Sequence, residues 1–143
     1  MSAITVASLL GGSSVVKRNA TTTHDWIEIV RRGLPAIAIE ALARAVQLTQ
    51  AELGETLAIP ERTLLRRKKE GTLHTEESAK LVRVARVMHR AIEVFEDRIA
   101  ALDWLKEPNR ALGRVSPLSL LDTDLGAETV MDTLGRIEYG VFA

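Results

Sequence analysis

The sequence predicts an all-α fold, in which a helix-turn-helix N-terminal part is joined by a long helix to a compact helical C-terminal domain. Hydrophobic residues make up 46% of the 143 residues, whereas aromatic residues make up only 3%. The core must therefore be aliphatic, a composition that favours helices over a β-sandwich. Apolar residues recur at helical spacing, and the sequence contains neither the alternation typical of strands nor an internal repeat.

Four segments are expected along the chain. They are a flexible N-terminal segment (residues 1–22), a helix-turn-helix domain (23–74), a long connecting and dimerisation helix (75–103) and a compact helical C-terminal domain (104–143). The first segment contains Gly11-Gly12-Ser13-Ser14, which is typical of turns and linkers. We expect it to be flexible. The alternative is a short adhesive element formed by Ile4, Val6, Leu9 and Leu10.

Two helices are predicted before residue 48. The first begins near Asp25 and stops at Gly33, with Arg31 and Arg32 in its last turn, where cations interact favourably with the helix dipole. Pro35 fits the first turn of the second helix. That helix carries an apolar stripe formed by Ile37, Ile39, Leu42, Ala43 and Val46.

A helix-turn-helix motif is predicted next. Thr49 and Glu52 have the spacing of a capping box, which starts the first helix of the motif. A tight turn at Ala58-Ile59 follows, and Pro60 opens the second helix. Gly54 is the small residue expected where the two helices cross closely.

The second helix of this motif is expected to read DNA. Its early residues would meet base edges in the major groove, namely Glu61, Arg62, Leu65 and Arg66. Phosphate contacts are expected from Gln50, Arg67, Lys68 and Lys69, although the position of Arg67 is often apolar in such motifs. Lys plus Arg equals Asp plus Glu at 19 each, so one module would bind weakly and operator binding is expected to need a homodimer. A solvated charged helix face is the alternative interpretation.

A long helix is predicted from Thr75, with apolar residues at helical spacing over about seven turns. Its apolar face is wide, because Val82, Val87 and Val94 flank the main stripe. A partner helix in a dimer or a deep intramolecular core would each account for this width.

After Trp104 the sequence predicts short helical turns and then one longer helix. Pro108-Asn109 begins the first turn and Ser116-Pro117 the next, while Thr123 caps a final helix that Gly140 ends. The tryptophan is expected to anchor the domain, and the asparagine to act as an N-cap.

The last third of the chain carries a specific set of motifs, which are Trp104-Leu105, Pro108-Asn109, Ala111-Leu112-Gly113, Pro117-Leu118, Leu120-Leu121, Thr123, Gly126, Val130, Leu134, Arg136-Ile137-Glu138-Tyr139 and Gly140. These motifs resemble the toxin-binding domain of the Xre/MbcA/ParS antitoxin family. Upstream, the Xre-type helix-turn-helix of that family is similar to Gly33-Leu34-Pro35, Leu48-Thr49, Arg66-Arg67 and Glu77-Ser78 with Leu81. The resemblance covers most of the chain.

The resemblance implies a bacterial type II antitoxin that pairs with a RES-domain toxin, an enzyme that degrades NAD. It also implies a helical homodimer that joins the toxin in a larger complex and often represses its own operon. Neutralisation would require only that NAD is kept out of the toxin pocket. We expect the C-terminal end to do this through Arg136, Glu138, Tyr139, Gly140, Val141 and Phe142. Internal packing of Ile137 and Tyr139 with a frayed tail is the alternative.

Other classes of function have less support in the sequence. Cysteine is absent, which excludes thiol chemistry, and the three histidines lack the spacing of a helical metal pair. No catalytic residue, metal ligand or cofactor is therefore expected. A stand-alone dimeric helix-turn-helix repressor is the main alternative, and a membrane-polarity or chromosome-partition adaptor is a weaker one. Without a membrane-length apolar run or a basic signal-peptide region, we expect a cytoplasmic protein that makes no membrane contact.

Overall fold

The computed structural model describes residues 4–16 and 20–140, which form helices joined by short turns. In chain order the helices are α1 (Val6–Leu9), α2 (Thr23–Arg32), α3 (Ala38–Val46), α4 (Gln50–Leu57), α5 (Glu61–Glu70), α6 (Thr75–Phe95), α7 (Arg98–Lys106) and α8 (Asp124–Glu138). Short 3-10 turns occupy Gly12–Ser14, Arg110–Leu112 and Pro117–Leu120. Within the described ranges there is no strand, and the predicted all-α class is confirmed. No helix in these ranges is both long and apolar enough to cross a membrane.

Helix α6 runs through the centre of the hydrophobic core. It contacts α1, α2, α3 and α4 from the N-terminal part and α7 and α8 from the C-terminal part. Leu81, Ala85 and Met88 on this helix are fully buried, and the flanking Val82 and Val87 are buried as well. Most of the wide apolar face of α6 is thus covered within the chain, with Val94 half-buried, and both parts of the protein share one core.

Residues 4–16 pack on that core, which corrects the expectation of a flexible segment for these residues. The Thr5 hydroxyl caps α1 by accepting a hydrogen bond of 3.0 Å from the backbone N–H of Ser8. Leu9 and Leu10 are 3% and 0% exposed, and α1 contacts α3 and α6. The alternative, a short element that adheres to the rest of the protein, describes these residues correctly. They bury apolar surface that a free tail would leave in water.

The long helix predicted over 75–103 is instead divided in two. Helix α6 ends at Phe95, and Glu96 takes a left-handed conformation with φ of 54°. Asp97 then caps α7, since its carboxylate accepts a hydrogen bond of 3.1 Å from a backbone N–H in the first turn of that helix. The rings of Phe95 and Trp104 lie 5.8 Å apart, so α7 packs against α6, and the predicted anchoring role of Trp104 is confirmed.

The second predicted helix starts later than expected, at Ala38 rather than in the turn of Pro35. The backbone N–H of Ala36 donates to the carbonyl oxygen of Gly71 at 2.9 Å, and Pro35 forms an isolated bridge with Thr72. The chain before α3 is therefore held against the chain that leaves α5, and the helix can begin only after this contact.

Side-chain caps place the C-terminal turns where the sequence predicts them. The Asn109 side chain accepts a hydrogen bond of 2.8 Å from the N–H of Ala111, and Thr123 accepts one of 3.0 Å from the N–H of Gly126. A Cβ atom on Gly126 would lie 1.8 Å from the carbonyl oxygen of Leu120. Glycine is therefore required for the start of α8 to pack against the preceding turn.

Replacing Leu10 with alanine should lower the free energy of unfolding by about 2–5 kcal/mol, because a buried leucine loses its packing and leaves a cavity. Ser13→Ala, at an exposed position of the same segment, should change this free energy by less than about 0.5 kcal/mol. Chemical denaturation followed by circular dichroism measures both variants. An unchanged denaturation midpoint for Leu10→Ala would mean that residues 4–16 do not pack on the core in solution.

Candidate functional site

Helices α4 and α5 cross closely and form the predicted helix-turn-helix. A Cβ atom on Gly54 would lie 2.9 Å from the carbonyl oxygen of Ile59, so only glycine allows this approach without a shift of the backbone. The turn between the helices passes through Ala58 in a left-handed conformation with φ of 55°. Leu53, Leu57 and Leu64 are fully buried and fix both helices on the core.

The solvent-facing side of α5, here called the α5 face, is formed by Glu61, Arg62, Leu65, Arg66 and Lys69. All five side chains are exposed, and Leu65 leaves 51% of its surface in solvent. They recur three to four residues apart, so they lie along one side of the helix. Five of the eight residues predicted to contact DNA are therefore placed to meet a partner together.

Arg67 points inward, which corrects its predicted role as a phosphate contact. It is only 7% exposed, and its Nε donates to Glu77 Oε1 at 2.7 Å. Its remaining nitrogens lie 3.3 Å from Glu70 and 3.2 Å from Nδ1 of His74. Because this position faces the core, where an apolar residue is usual, the guanidinium needs partners inside the protein. It ties the end of α5 to the start of α6.

The Arg67–Glu77 contact shifts the pKa of both groups. Burial alone would raise the pKa of Glu77, but hydrogen bonds from Arg67 and from the backbone N–H of His74, with the charge of Arg67, hold it below the ordinary value of 4.5. The hydrogen bond to Glu77 in turn raises the pKa of Arg67. Both groups are therefore held in their charged forms.

Lys68 and Gln50, two further predicted phosphate contacts, are joined to each other. The Lys68 ammonium donates to Oε1 of Gln50 and lies 3.1 Å from Oε1 of Glu40. It thus connects α3, α4 and α5. With its carbonyl oxygen occupied, Gln50 keeps its side-chain N–H groups for another acceptor.

The end of α8, here called the α8 end, comprises Arg136, Glu138, Tyr139 and Gly140. Tyr139 is 78% exposed and Arg136 is also exposed, whereas Ile137 is half-buried. Glu138 makes two hydrogen bonds to Arg90 on α6, of 2.7 and 3.0 Å. Gly140 follows with a positive φ of 69°. The predicted contacts Val141 and Phe142 lie outside the described residues.

A groove of about 620 Å³ lies between α2, α6 and α8. Its walls include Trp26, Ile27 and Met131, and Arg83 pairs with Asp124 beside it. Within residues 4–16 and 20–140, no cluster of three or more His, Asp or Glu side chains could hold a metal ion. The groove lies where α2 of the N-terminal part and the C-terminal helix α8 both pack beside α6.

The sequence does not predict the partners of three site residues. They are Glu77 for Arg67, Glu40 for Lys68 and Arg90 for Glu138. Each pair joins two helices, and Arg90 and Glu138 are 48 residues apart. The residues next to each partner in the sequence do not indicate these pairs, because the pairs depend on how the helices pack.

Comparison with known proteins assigns both parts of this architecture. Residues 25–86 match the antitoxin Xre-like helix-turn-helix domain, and residues 90–140 match the antitoxin Xre/MbcA/ParS C-terminal toxin-binding domain. The two matched segments together define a helix-turn-helix protein of the antitoxin class.

Individual relatives agree with this class. Antitoxin Xre of Yersinia enterocolitica is 35% identical over 119 residues, covering 82% of this chain and 80% of the relative. Antitoxin Xre of Photorhabdus laumondii is 35% identical over 115 residues, covering 79% and 78%. The Prs ADP-ribosylating antitoxin of a Sphingobium strain is 27% identical over 129 residues, covering 83% and 81%. The chain therefore belongs to the Xre/MbcA/ParS antitoxin family.

Glu77→Gln should destabilise the protein near neutral pH, because Arg67 loses its charged partner. The pKa of Glu77 is lowered in the folded state, so its stabilising effect is present above pH 4.5 and is lost as the pH falls through the lower folded pKa. The stability difference between wild type and Glu77→Gln should shrink over that acidic range. Urea denaturation at a series of pH values measures it.

Glu76→Gln is the matched control, since Glu76 is an exposed carboxylate in the same first turn of α6. It should change stability little at any pH. A difference between wild type and Glu77→Gln that stays constant down to strongly acidic pH would contradict the ion pair with Arg67.

Proposed function

We propose that this antitoxin neutralises a cognate RES-type toxin by covering the NAD pocket of that toxin with the α8 end. The observation that carries the proposal is the 78% exposure of Tyr139 at the end of a segment that matches the family's toxin-binding domain. Steric occlusion needs no chemistry from the antitoxin. It requires only side chains that fill the entrance and a helix that holds them there.

An NAD-consuming target is supported by the name of one relative as well as by the family resemblance. One relative is named a Prs ADP-ribosylating antitoxin, and ADP-ribosylation uses NAD as the donor of the transferred group. A pocket for NAD is polar at the phosphates and apolar at the rings. Arg136 and Tyr139 on the α8 end offer a cation and an aromatic ring to such a pocket.

Tyr139 has the properties of an interface anchor. Aromatic residues that leave solvent for a fitted pocket dominate the binding energy of many interfaces. It is the C-cap of α8, where the helix ends and Gly140 turns the chain. The apolar Val141 and Phe142 follow it in sequence and are proposed to extend the same contact.

We propose that the α5 face binds the operator of the antitoxin's own operon. Arg62, Arg66 and Lys69 supply positive charge on one side of α5, and Leu65 supplies an apolar group for a thymine methyl. The net charge of the whole chain is zero, so the attraction to DNA is local. Binding by a homodimer would place two α5 helices in successive major grooves, one helical turn apart.

Removing residues 139–143 should abolish protection against the toxin while leaving the helical fold intact, because the core ends within α8. Tyr139→Ala alone should weaken toxin binding by at least about 2 kcal/mol, the size typical of an interface hot spot. Coexpression with the toxin gene, read out as growth and cellular NAD, measures protection, and calorimetry measures affinity.

Leu125→Ala is the matched control, because Leu125 is 76% exposed on the opposite end of the same helix. It should protect as well as the wild type. Full protection by the truncated protein would contradict occlusion by the α8 end, and absence of any toxic neighbouring gene product would favour a stand-alone repressor.

Lys69→Met should weaken operator binding and make the dependence of log K on log salt shallower by about one unit, because one phosphate is no longer neutralised. Lys68→Met should leave that slope unchanged, because the Lys68 ammonium already faces Glu40 and Gln50. Fluorescence anisotropy with an operator duplex at several salt concentrations compares the two. An equally shallow slope for Lys68→Met would show that Lys68 leaves its partners to bind DNA.

A further inference from the structure

We propose that Arg90 is a positioning residue for toxin binding, which holds the last turn of α8 against α6 through Glu138 and so presents Tyr139 in a fixed orientation. This inference rests on the proposed function of the α8 end. It gives Glu138 a role within the antitoxin in place of the direct toxin contact that the sequence predicts.

The contact between Arg90 and Glu138 uses both carboxylate oxygens. Nη2 of Arg90 donates to Oε1 of Glu138 at 2.7 Å, and Nη1 donates to Oε2 at 3.0 Å. Paired hydrogen bonds of this kind fix orientation as well as distance, because the planar guanidinium matches the planar carboxylate. The side chains are 25% and 32% exposed, so solvent competes with the pair only partly.

The position of Glu138 at the end of α8 favours this pair. Glu138 is the last residue of α8, at the negative end of the helix dipole, where a carboxylate is unfavourable. The helix alone therefore gives no reason for an acid at this place. Arg90 supplies the missing positive charge from another helix, and the hydrogen bond to Arg90 lowers the pKa of Glu138.

Tyr139 follows Glu138 directly, and its backbone N–H donates to the carbonyl oxygen of Gly135 at 3.1 Å. Its ring is left in solvent with 78% exposure. Fixing Glu138 therefore fixes the backbone from which this ring projects. An anchor that is ordered before binding loses less conformational entropy when the toxin binds.

The titratable groups near Arg90 are Glu138, Glu93 and, at longer range, Tyr139. Glu138 approaches from α8, and Glu93 approaches from α6 itself at 3.7 Å. Glu93 carries the same charge as Glu138 but makes no described link between α6 and α8. Glu93→Gln is therefore a matched control for Glu138→Gln.

The test exchanges the two charges. Arg90→Glu and Glu138→Arg should each weaken binding to the purified toxin by roughly tenfold, and the double variant should recover most of this loss, because the reversed pair can re-form. Glu138→Gln should weaken binding and Glu93→Gln should not. Calorimetry gives the affinities, and thermal unfolding by circular dichroism verifies that each variant is folded. A double variant as weak as Glu138→Arg alone would overturn the proposal, since Glu138 would then contact the toxin directly.

A second measurement needs no toxin. Tyr139 is the one tyrosine in the sequence, so an NMR spectrum of protein labelled with ¹³C-tyrosine reports the α8 end alone. Arg90→Glu should move the ring signal towards that of a free tyrosine, and the double variant should restore it. Glu138→Gln, which keeps the charge of Arg90 near Tyr139, should move the signal in the same direction. An unchanged signal in Arg90→Glu would overturn the positioning role. Failure of the wild type to bind any RES-type toxin, with these NMR shifts present, would instead reject the proposed function alone.

Discussion

The burial of α6 between helices from both ends of the chain is the constraint on which the rest of the structure depends. Leu81, Ala85 and Met88 leave no surface in solvent, and the surrounding helices cover them. One continuous core therefore supports the helix-turn-helix and the C-terminal domain together. The α5 face and the α8 end are consequently held in a fixed position relative to each other. Both surfaces are formed by the fold itself, before any partner binds to either of them.

Charged side chains add to this core by tying helices together. Arg98 and Lys106 of α7 donate to the carbonyl oxygens of Ala45 and Gln47 at the end of α3, at 3.2 and 2.9 Å. Carbonyl groups at a helix C-terminus lack partners within the helix, so the cations satisfy them and favour the helix dipole. Arg67 also ties two helices together, but it does so through the side chain of Glu77 on α6. Several basic residues therefore stabilise the fold. The number of basic residues in the sequence overstates how many of them could contact DNA.

The features that depend on local chemistry could be predicted from the sequence. The caps at Thr49, Asn109 and Thr123 and the close approach at Gly54 need only neighbouring residues, and all four are confirmed. Features that depend on helix packing are missed or left open by the sequence, namely the burial of residues 4–16, the inward turn of Arg67 and the Arg90–Glu138 pair. In these three features, the deciding contact is made between helices that are distant in the sequence. The break at Glu96-Asp97 is also missed, although the Asp97 cap on α7 is as local as the caps at Thr49 and Thr123.

The proposed occlusion of a toxin's nucleotide pocket by the α8 end is tested most directly by a structure of this protein in complex with its cognate toxin. We expect the ring of Tyr139 at the mouth of the NAD pocket, with the Arg90–Glu138 contact intact behind it and the pocket closed to solvent. A complex in which that pocket is open and the α8 end lies elsewhere would contradict occlusion.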